Sequence, residues 1–377
     1  MEPKIRFKGF EGEWKTSTIG EIAPLQRGYD LPTNNVISGT IPVVYSNGIL
    51  RFHNEGKCQA PAIITGRSGT IGKFTYIDHG EYWPHNTSLW VTTFHKNYPR
   101  FVYYFFQNVG FEKYATGSGV PTLNRNDIHK HIESIPSNKE EQQAIASYFT
   151  TLDSQISAST SRLASLKQMK AASLQAMFPQ EGETVPKIRF KGFEGEWKKV
   201  KADSIFKTFN EKNRPDLPVL SATQDRGMVT RESIGYNIFH DTSNEATYKH
   251  ILPGQFVIHL RSFQGGFAHS EIEGIASPAY TIMDFKNKDL YHDYYWRYVF
   301  MSKEFIKRLE LITYGIRDGR SISYDEFKEM SFLVPSKEEQ IKIASYLKNL
   351  DRQISLQSQR LEKLKQIKSA CLDKMFV

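Results

Sequence analysis

Cysteine is nearly absent from this chain of 377 residues, which contains only Cys58 and Cys371. Two cysteines without a C-x-x-C spacing argue against a disulfide framework or a structural zinc site, and they fit a reducing cytoplasm. No stretch approaches ~18 consecutive apolar residues, so no membrane span is expected. The amino-terminal segment MEPKIRFKGFEGEWK lacks the apolar core of a signal peptide.

Recognisable catalytic motifs are missing as well. The 11 histidines show no metal-ligand spacing, and we find no nucleophile elbow, dinucleotide fingerprint or methyltransferase tetrapeptide. The segment GRSGTIGKF at 66–74 comes closest to a phosphate-binding loop. It has Arg67 where the first glycine belongs and Phe74 where the magnesium-binding Ser or Thr belongs. We therefore expect no metal, no cofactor and no catalysis in this chain.

Basic residues and aromatics are plentiful. The net charge of +8 is compatible with a polyanionic partner. The 25 Phe, 19 Tyr and 5 Trp residues supply enough apolar surface for real cores. A length of 377 residues predicts about two domains.

A long segment occurs twice, at 139–178 and 337–376, with 23 of 40 positions identical. Each copy predicts one uninterrupted helix with an apolar stripe, and each begins with a predicted capping box, Ser137–Glu140 and Ser336–Glu339. Such a stripe needs a partner, and the other copy has the matching shape. The predicted pairing residues are Ile145, Phe149, Leu152, Ile156, Leu163, Leu166 and Met177 in the first copy and Ile343, Leu347, Leu350, Ile354, Leu361, Leu364 and Met375 in the second.

Polar residues interrupt the stripe at equivalent places, Ser159 with Gln357 and Lys170 with Lys368. Such interruptions can fix the register of paired helices at some cost in stability. A lone amphipathic helix inside a domain is the alternative reading. Two long copies about 200 residues apart favour a paired-helix spacer.

A second repeat precedes the first, because PKIRFKGFEGEWK at 3–15 recurs letter for letter at 186–198. We call these two identical segments the lead-ins. The predicted fold class is α+β, with two mixed α/β domains, a pair of long coiled-coil-like helices between them, and an internal repeat. The predicted divisions are a first domain at 1–136, a first helix at 137–178, a linker at 179–185, a second domain at 186–335 and a second helix at 336–377.

Glycine-bounded turns carry the candidate binding residues of the first half. Glycine lets backbone approach a ligand closely, and Arg, Ser, Thr and Lys donate to phosphates or base edges. A tight hairpin with incidental charges is the alternative. The candidates are Tyr45, Ser46, Asn47, Arg67, Ser68, Thr70, Lys73, Ser118, Thr122, Asn124 and Arg125.

The second half has corresponding segments. HLRSFQGGFAHS at 259–270 repeats an Arg-Ser pair followed by glycines, and YGIRDGRSIS at 314–323 matches the first half's loop at 116–125. The candidates here are Gln224, Arg226, Arg261, Ser262, Gln264, Tyr314, Arg317 and Arg320.

With these motifs in place, the chain resembles the specificity subunit of type I restriction-modification systems over essentially its full length. The lead-ins, the helix openings IPSNKEEQQAIASYF and VPSKEEQIKIASYL, the GRSGTIGKF turn and the GSGVPTLNRNDI loop carry the resemblance. The second domain departs from the pattern, with SFQGGF in place of SGTIGKF.

The resemblance implies a bipartite target on double-stranded DNA, with one half-site for each of two target recognition domains. It implies that the two long helices run antiparallel with pseudo-twofold symmetry and that helix length sets the unread gap. It also implies two methyltransferase subunits docked on this chain and two restriction subunits in the larger complex. Those partners would hold S-adenosylmethionine, ATP and magnesium, and none of that chemistry would reside here. Two alternatives stay open, a structural coiled-coil adaptor and a self-sufficient DNA-modifying enzyme.

Lengthening one helix tests the expected spacing role. Inserting four residues, about one turn, into one long helix is expected to change the accepted gap between the half-sites and leave the half-sites unchanged. Mapping the recognised sequence of the insertion variant measures this. An unaltered gap would contradict the role of the helices as a spacer.

Overall fold

The computed structural model describes residues 2–117, 119–223, 226–234, 242–259, 266–313 and 322–377. The chain forms two compact units: unit 1 is Met1–Ser161 with Gln359–Val377, and unit 2 is Arg162–Ser358. The dividing lines fall inside the two long helices. Each unit therefore contains the first part of one helix and the last part of the other, which differs from the linear division at helix ends.

Unit 1 is built on two small sheets. Strands β2, β9, β6 and β7 form an antiparallel sheet in that order, β4, β3, β8 and β5 form a second, and β1 pairs with β12. The elements are β1 (Lys15–Thr18), α1 (Ile19–Ile22), β2 (Leu25–Arg27), β3 (Ile41–Tyr45), β4 (Gly48–His53), β5 (Cys58–Gln59), β6 (Ala62–Gly66), β7 (Phe74–Ile77), β8 (Glu81–Pro84), β9 (Ser88–Val91), α2 (Pro99–Val109), β10 (Ala115–Thr116), β11 (Thr122–Leu123), α3 (Arg125–His129), β12 (Ile132–Ile135) and the first long helix α4 (Lys139–Ala176).

Unit 2 repeats this plan in part: one four-stranded sheet corresponds, whereas its other described strands form two-stranded pairs in place of the second sheet. Strands β14, β21, β18 and β19 form the matching antiparallel sheet, and β13 pairs with β22 as β1 pairs with β12. The elements are β13 (Lys198–Lys201), α5 (Ala202–Ile205), β14 (Phe206–Phe209), β15 (Leu220–Thr223), β16 (Gly227–Thr230), β17 (Lys249–Ile251), β18 (Phe256–Ile258), β19 (Phe267–His269), β20 (Gly274–Ala276), β21 (Thr281–Phe285), α6 (Asp293–Met301), α7 (Lys303–Thr313), α8 (Tyr324–Lys328), β22 (Ser331–Val334) and the second long helix α9 (Lys337–Met375).

Two aromatic-rich segments, at 98–114 and 293–309, each contain a break in their helix. Helix α2 stops at Gly110, whose φ of 71° is left-handed, and a 3-10 turn follows at Phe111–Tyr114. In unit 2 the helix breaks at Ser302, whose hydroxyl accepts from the backbone N–H of Phe305 at 3.2 Å and so caps α7. Neither aromatic-rich segment is therefore one unbroken helix.

A buried ion pair joins each lead-in to the start of a long helix. Nε and Nη2 of Arg6 donate to the two carboxylate oxygens of Glu141 at 2.7 and 2.9 Å. Arg189 makes the same bidentate contact with Glu339 at 2.7 and 2.7 Å. The glutamate side chains are 2% and 1% exposed, so each charge depends on its partner for compensation.

The contacts at the two helix starts differ from the predicted capping boxes. The backbone N–H of Glu141 donates to Asn138 Oδ1 at 3.0 Å, so Asn138 and not Ser137 caps the first helix. Ser336 accepts from the N–H of Glu339 at 3.3 Å as expected. The Glu339 carboxylate, however, binds arginine and does not return to the cap.

The glutamine that follows each of these glutamates anchors the aromatic helix. Gln142 Oε1 accepts from the backbone N–H of Tyr98 at 2.7 Å, just before α2. Gln340 Oε1 accepts from the backbone N–H of His292 at 2.9 Å, just before α6. The repeated sequence KEEQ thus positions both the lead-in and the aromatic helix.

Each lead-in also ends up beside the last turn of a long helix. The N–H of Ile5 donates to the carbonyl of Lys374 at 2.9 Å, and the N–H of Ile188 donates to the carbonyl of Ala176 at 2.9 Å. In unit 1 the two segments come from opposite ends of the chain. In unit 2 they are joined by the linker at 179–185.

In each unit, the apolar stripes of the long helices pack against each other and against the core formed by the sheets and the aromatic helix. In unit 1, Phe149 stacks on Phe376 with ring centroids 5.9 Å apart and lies 5.1 Å from Tyr104 of α2. The unit 1 core takes in Ile145, Phe149, Leu152, Leu364 and Met375, with Ile156 partly buried, and the unit 2 core takes in Leu166, Met177, Ile343, Leu347 and Leu350, with Ile354 partly buried. Leu361 is buried and Leu163 half-buried.

The lysines that interrupt the stripes form ion pairs between the two helices. Lys368 of α9 lies 2.6 Å from Asp153 of α4, which also accepts from the Tyr104 hydroxyl at 2.9 Å. In unit 2, Lys170 lies 2.6 Å from Asp351, which accepts from Tyr298 at 2.7 Å. Because each charge has a partner at only one register, these pairs fix the alignment of the helices in each unit.

The ion pair between Arg6 and the buried Glu141 carboxylate predicts a large effect on stability. Replacing Arg6 with Met leaves the Glu141 carboxylate buried without its cation, so we expect unit 1 to lose about 3–5 kcal/mol of unfolding free energy. Urea unfolding measures the loss. Lys8→Met, at an exposed position of the same lead-in, is the control and should change stability by less than about 0.5 kcal/mol. An Arg6→Met variant as stable as this control would contradict the role of the pair.

Candidate nucleic-acid interface

Four loops of unit 1 converge at one place. We call residues 45–47, 67–73, 85–87 and 119–123 the loop cluster. The backbone N–H of Gly69 donates to the carbonyl of Pro121 at 2.9 Å, and Ser68 and Thr122 form a β-bridge. Lys73 Nζ donates to the carbonyl of Asn47 at 3.2 Å. Segments far apart in sequence are thereby held together on one surface.

The glycines of 66–72 permit this close approach. A Cβ on Gly66 would lie 1.9 Å from the carbonyl oxygen of Thr70 and 3.1 Å from Cβ of Ser46. Gly69 and Gly72 have φ of 82° and 80°, in the left-handed region. A side chain at these positions would force the loop open, so the glycines serve a geometric need.

Arg67 is the most firmly placed cation of the cluster. Its backbone N–H donates to the carbonyl of Thr87 at 2.8 Å, and its own carbonyl accepts from Leu123 N–H at 2.8 Å. Its side-chain Nε donates to the carbonyl of Asn86 at 3.1 Å. Main chain and side chain are thus fixed from two neighbouring loops.

The loop at 85–87 was missed from the sequence. The His85 ring lies against Tyr45 with centroids 4.1 Å apart, and its Nδ1 is 3.0 Å from the Thr87 hydroxyl. Burial lowers the pKa of His85, so the ring is neutral at physiological pH. The Asn86 amide donates to Asp30. The three polar residues HNT, which separate two buried strands, could have indicated this loop in the sequence.

Many of the residues predicted from sequence lie together here. The cluster contains Tyr45, Ser46, Asn47, Arg67, Ser68, Thr70, Lys73 and Thr122. Asn124 and Arg125 adjoin it at the start of α3. The Asn124 side chain caps that helix by accepting from Asn126 N–H at 3.0 Å, while Arg125 is exposed. That any of these residues binds a ligand stays a prediction.

Charge in the cluster is uncompensated. Within the described residues, neither Arg67 nor Lys73 nor Arg125 has a carboxylate at ion-pair distance, whereas Arg100 on α2 pairs with Asp78 at 3.3 Å. Cationic donors without counter-ions, set among hydroxyl and amide groups, suit a polyanion that also offers hydrogen-bond acceptors.

Most candidate residues of the second half lie outside the part of the chain that the structure describes. Ser118 of the first unit and Gln224, Arg261, Ser262, Gln264, Tyr314, Arg317 and Arg320 of the second lie outside the described residues. Arg226 is described. It is exposed at the turn before β16, and its backbone N–H donates to the Thr223 hydroxyl at 3.2 Å.

The described part of the chain contains no group of three or more His, Cys, Asp or Glu residues that could hold a metal ion. Among the same residues, no helix combines the length and the apolar character needed to cross a membrane.

Comparison with known proteins gives one family. The model described as type I restriction modification DNA specificity domain matches twice, at residues 11–168 and 194–366. These two matches coincide with the two halves of the internal repeat and together cover most of the chain. A search of curated proteins gives no match.

Solved structures share the fold at low sequence identity. The S subunit of a type I restriction-modification system from M. genitalium aligns over 100% of this chain and 99% of its own, with 15% identity and a TM-score of 0.68. A chain from a structural study of complex assembly and conformational transition of the type I R-M system aligns over 97% and 98%, with 15% identity and a TM-score of 0.52. The HsdS subunit from Thermoanaerobacter tengcongensis aligns over 98% and 98%, with 15% identity and a TM-score of 0.47.

Proposed function

The chain belongs to the family of type I restriction-modification DNA specificity domains, and on that premise we propose that it selects a bipartite DNA sequence, with one half-site read by each half of the chain. It does so as the specificity subunit of a complex whose other subunits modify or cut DNA. Because its work is done on cellular DNA, we place it in the cytoplasm.

The observation that carries this proposal is one scaffold built twice under two different sets of loops. The lead-in arginine, the helix glutamate, the glutamine anchor and the Lys–Asp–Tyr contact recur in both units with nearly equal distances. The corresponding glycine-containing segments differ in sequence, GRSGTIGKF at 66–74 against HLRSFQGGF at 259–267. Two units that share a framework but differ in their contact segments are suited to binding two different DNA sequences.

Double-stranded DNA suits the chemistry of the loop cluster. The uncompensated cations Arg67, Lys73 and Arg125 match the phosphate backbone, and the hydroxyl and amide groups beside them match base edges. The net charge of +8 acts in the same direction. Binding should therefore weaken steeply with salt.

The paired helices serve as the spacer in this proposal. The Lys368–Asp153 and Lys170–Asp351 ion pairs hold the two helices in one register. With register fixed, the number of helical residues determines the number of unread base pairs between half-sites. A flexible connection between the two units would not fix the number of unread base pairs.

We assign no catalytic residue to this chain. Methyl transfer from S-adenosylmethionine and ATP- and magnesium-dependent restriction belong, in this proposal, to partner subunits. The chain contributes sequence selection and the surface on which those partners assemble.

The lead-ins supply an argument for two copies of the same methyltransferase partner. Burial explains the identity of Trp14 with Trp197, and the ion pairs with the buried glutamates explain that of Arg6 with Arg189. It does not explain identity at exposed positions, where Ile5 is 45% and Ile188 60% exposed. An exposed surface kept the same under two different domains fits one kind of partner bound twice. Two restriction subunits complete the larger complex in this proposal.

Mapping of N6-methyladenine in cells with and without this gene, expressed with its methyltransferase partner, tests the function. We expect a gene-dependent motif of two short half-sites separated by a fixed gap. Loss of that motif when this gene alone is removed would assign the specificity to this chain. A partner that methylates the same motif without it would contradict the proposal.

The count of partner subunits tests the twofold docking. Ile188→Glu places a charge on one of the two identical surfaces, so we expect the complex to hold one methyltransferase subunit in place of two. Ile5→Glu should do the same through the other surface. Native mass spectrometry of the purified complexes gives the count, with Leu356→Glu, 56% exposed on α9, as a control outside the lead-ins. Two subunits in both lead-in variants would contradict this docking surface.

A further inference from the structure

We infer that Arg67 reads a guanine in the half-site of unit 1, through the two terminal nitrogens of its guanidinium group. The inference rests on the proposed function and assigns one base to one side chain. It implies that the half-site read by unit 1 contains a G·C pair.

The backbone of Arg67 is held from both sides. Its N–H donates to Thr87 and its carbonyl accepts from Leu123, each at 2.8 Å, and the next two residues are tied to Thr87 and Pro121. The position of its Cα therefore does not depend on a ligand. Pre-organisation of this kind lowers the entropy lost on binding.

The side chain is held in the same way. Nε donates to the Asn86 carbonyl at 3.1 Å, and the Asn86 amide is itself bonded to Asp30. One of the guanidinium's donor nitrogens is thus used to orient the group. Within the described residues, no oxygen accepts from Nη1 or Nη2, and no carboxylate neutralises the charge.

Two parallel N–H donors on a fixed planar group match guanine better than the other bases. In the major groove guanine offers two neighbouring acceptors, N7 and O6, which a bidentate arginine fills. Adenine presents N7 beside an amino donor, so the same arginine would face a donor there. Thymine offers one acceptor beside a methyl group, and cytosine offers a donor.

A phosphate contact is the competing use of the same cation, and the structure favours it for Lys73. Lys73 is exposed, with a single point charge on a flexible stem, whereas Arg67 is half-buried among three loops. Phosphate contacts position a protein without selecting bases. A fixed fork with its Nε already engaged is better suited to selection.

The test compares variants of the full-length chain, each in complex with its methyltransferase partner, on a library of duplexes randomised at the target positions. Arg67→Lys keeps the charge and removes the fork. We expect preference for guanine at one position of one half-site to fall about 10- to 100-fold, with the other half-site unchanged. Arg67→Gln should lose the same preference. Retained selection at the other half-site shows that both variants fold.

Two control variants separate base reading from charge. Arg51→Lys, an exposed arginine on β4 outside the loop cluster, should leave every preference unchanged. Lys73→Gln should weaken binding to all sequences alike and reduce the salt slope by about one.

Three outcomes would overturn the inference while leaving the proposed function standing: half-sites without any G·C pair, unchanged preferences in Arg67→Lys, or a uniform loss across all sequences, which marks a phosphate contact. A wild-type complex without any bipartite preference would overturn the proposed function and this inference together.

Discussion

The buried arginine–glutamate pair between each lead-in and a long helix is the contact on which the rest of each unit depends. Glu141 and Glu339 are almost fully buried, and a buried carboxylate without its cation is strongly unfavourable. The pair therefore forces the lead-in onto the first turn of the helix. The neighbouring glutamine then fixes the start of the aromatic helix. One tetrapeptide, KEEQ, therefore positions both the lead-in and the aromatic helix of each unit.

The same contacts explain how the two units can differ in the segments attached to this shared framework. One four-stranded sheet of each unit has the same strand order, whereas the other described strands pair differently in the two units. The lead-in, the helix start and the aromatic helix of unit 1 are held together by hydrogen bonds that do not involve the loop cluster. Sequence changes in the loop cluster therefore leave these contacts in place. The Lys–Asp–Tyr contacts extend the arrangement to the second helix.

Much of the fold could be predicted from sequence because its signals are periodic or repeated. The two long helices, the two-domain plan and the family resemblance all follow from repeats. Finer points could not be predicted. Asn138 and not Ser137 caps the first helix, by accepting from the N–H of Glu141. Glu339 binds Arg189 and not its own cap, because a bidentate guanidinium competes better for a carboxylate than a local N–H does. The helix break at Ser302 depends on hydrogen bonds that propensity does not show.

By itself the sequence determined that one scaffold occurs twice, that its helices pair, and that glycine-bounded loops with basic residues are the place to look for contacts. Only the tertiary structure decided which of those residues meet. It brought the loop at 85–87 against Arg67, oriented that arginine through Asn86, and used Asn124 as a helix cap. The physical reason is that side-chain hydrogen bonds between distant segments depend on chain folding, which local pattern does not encode.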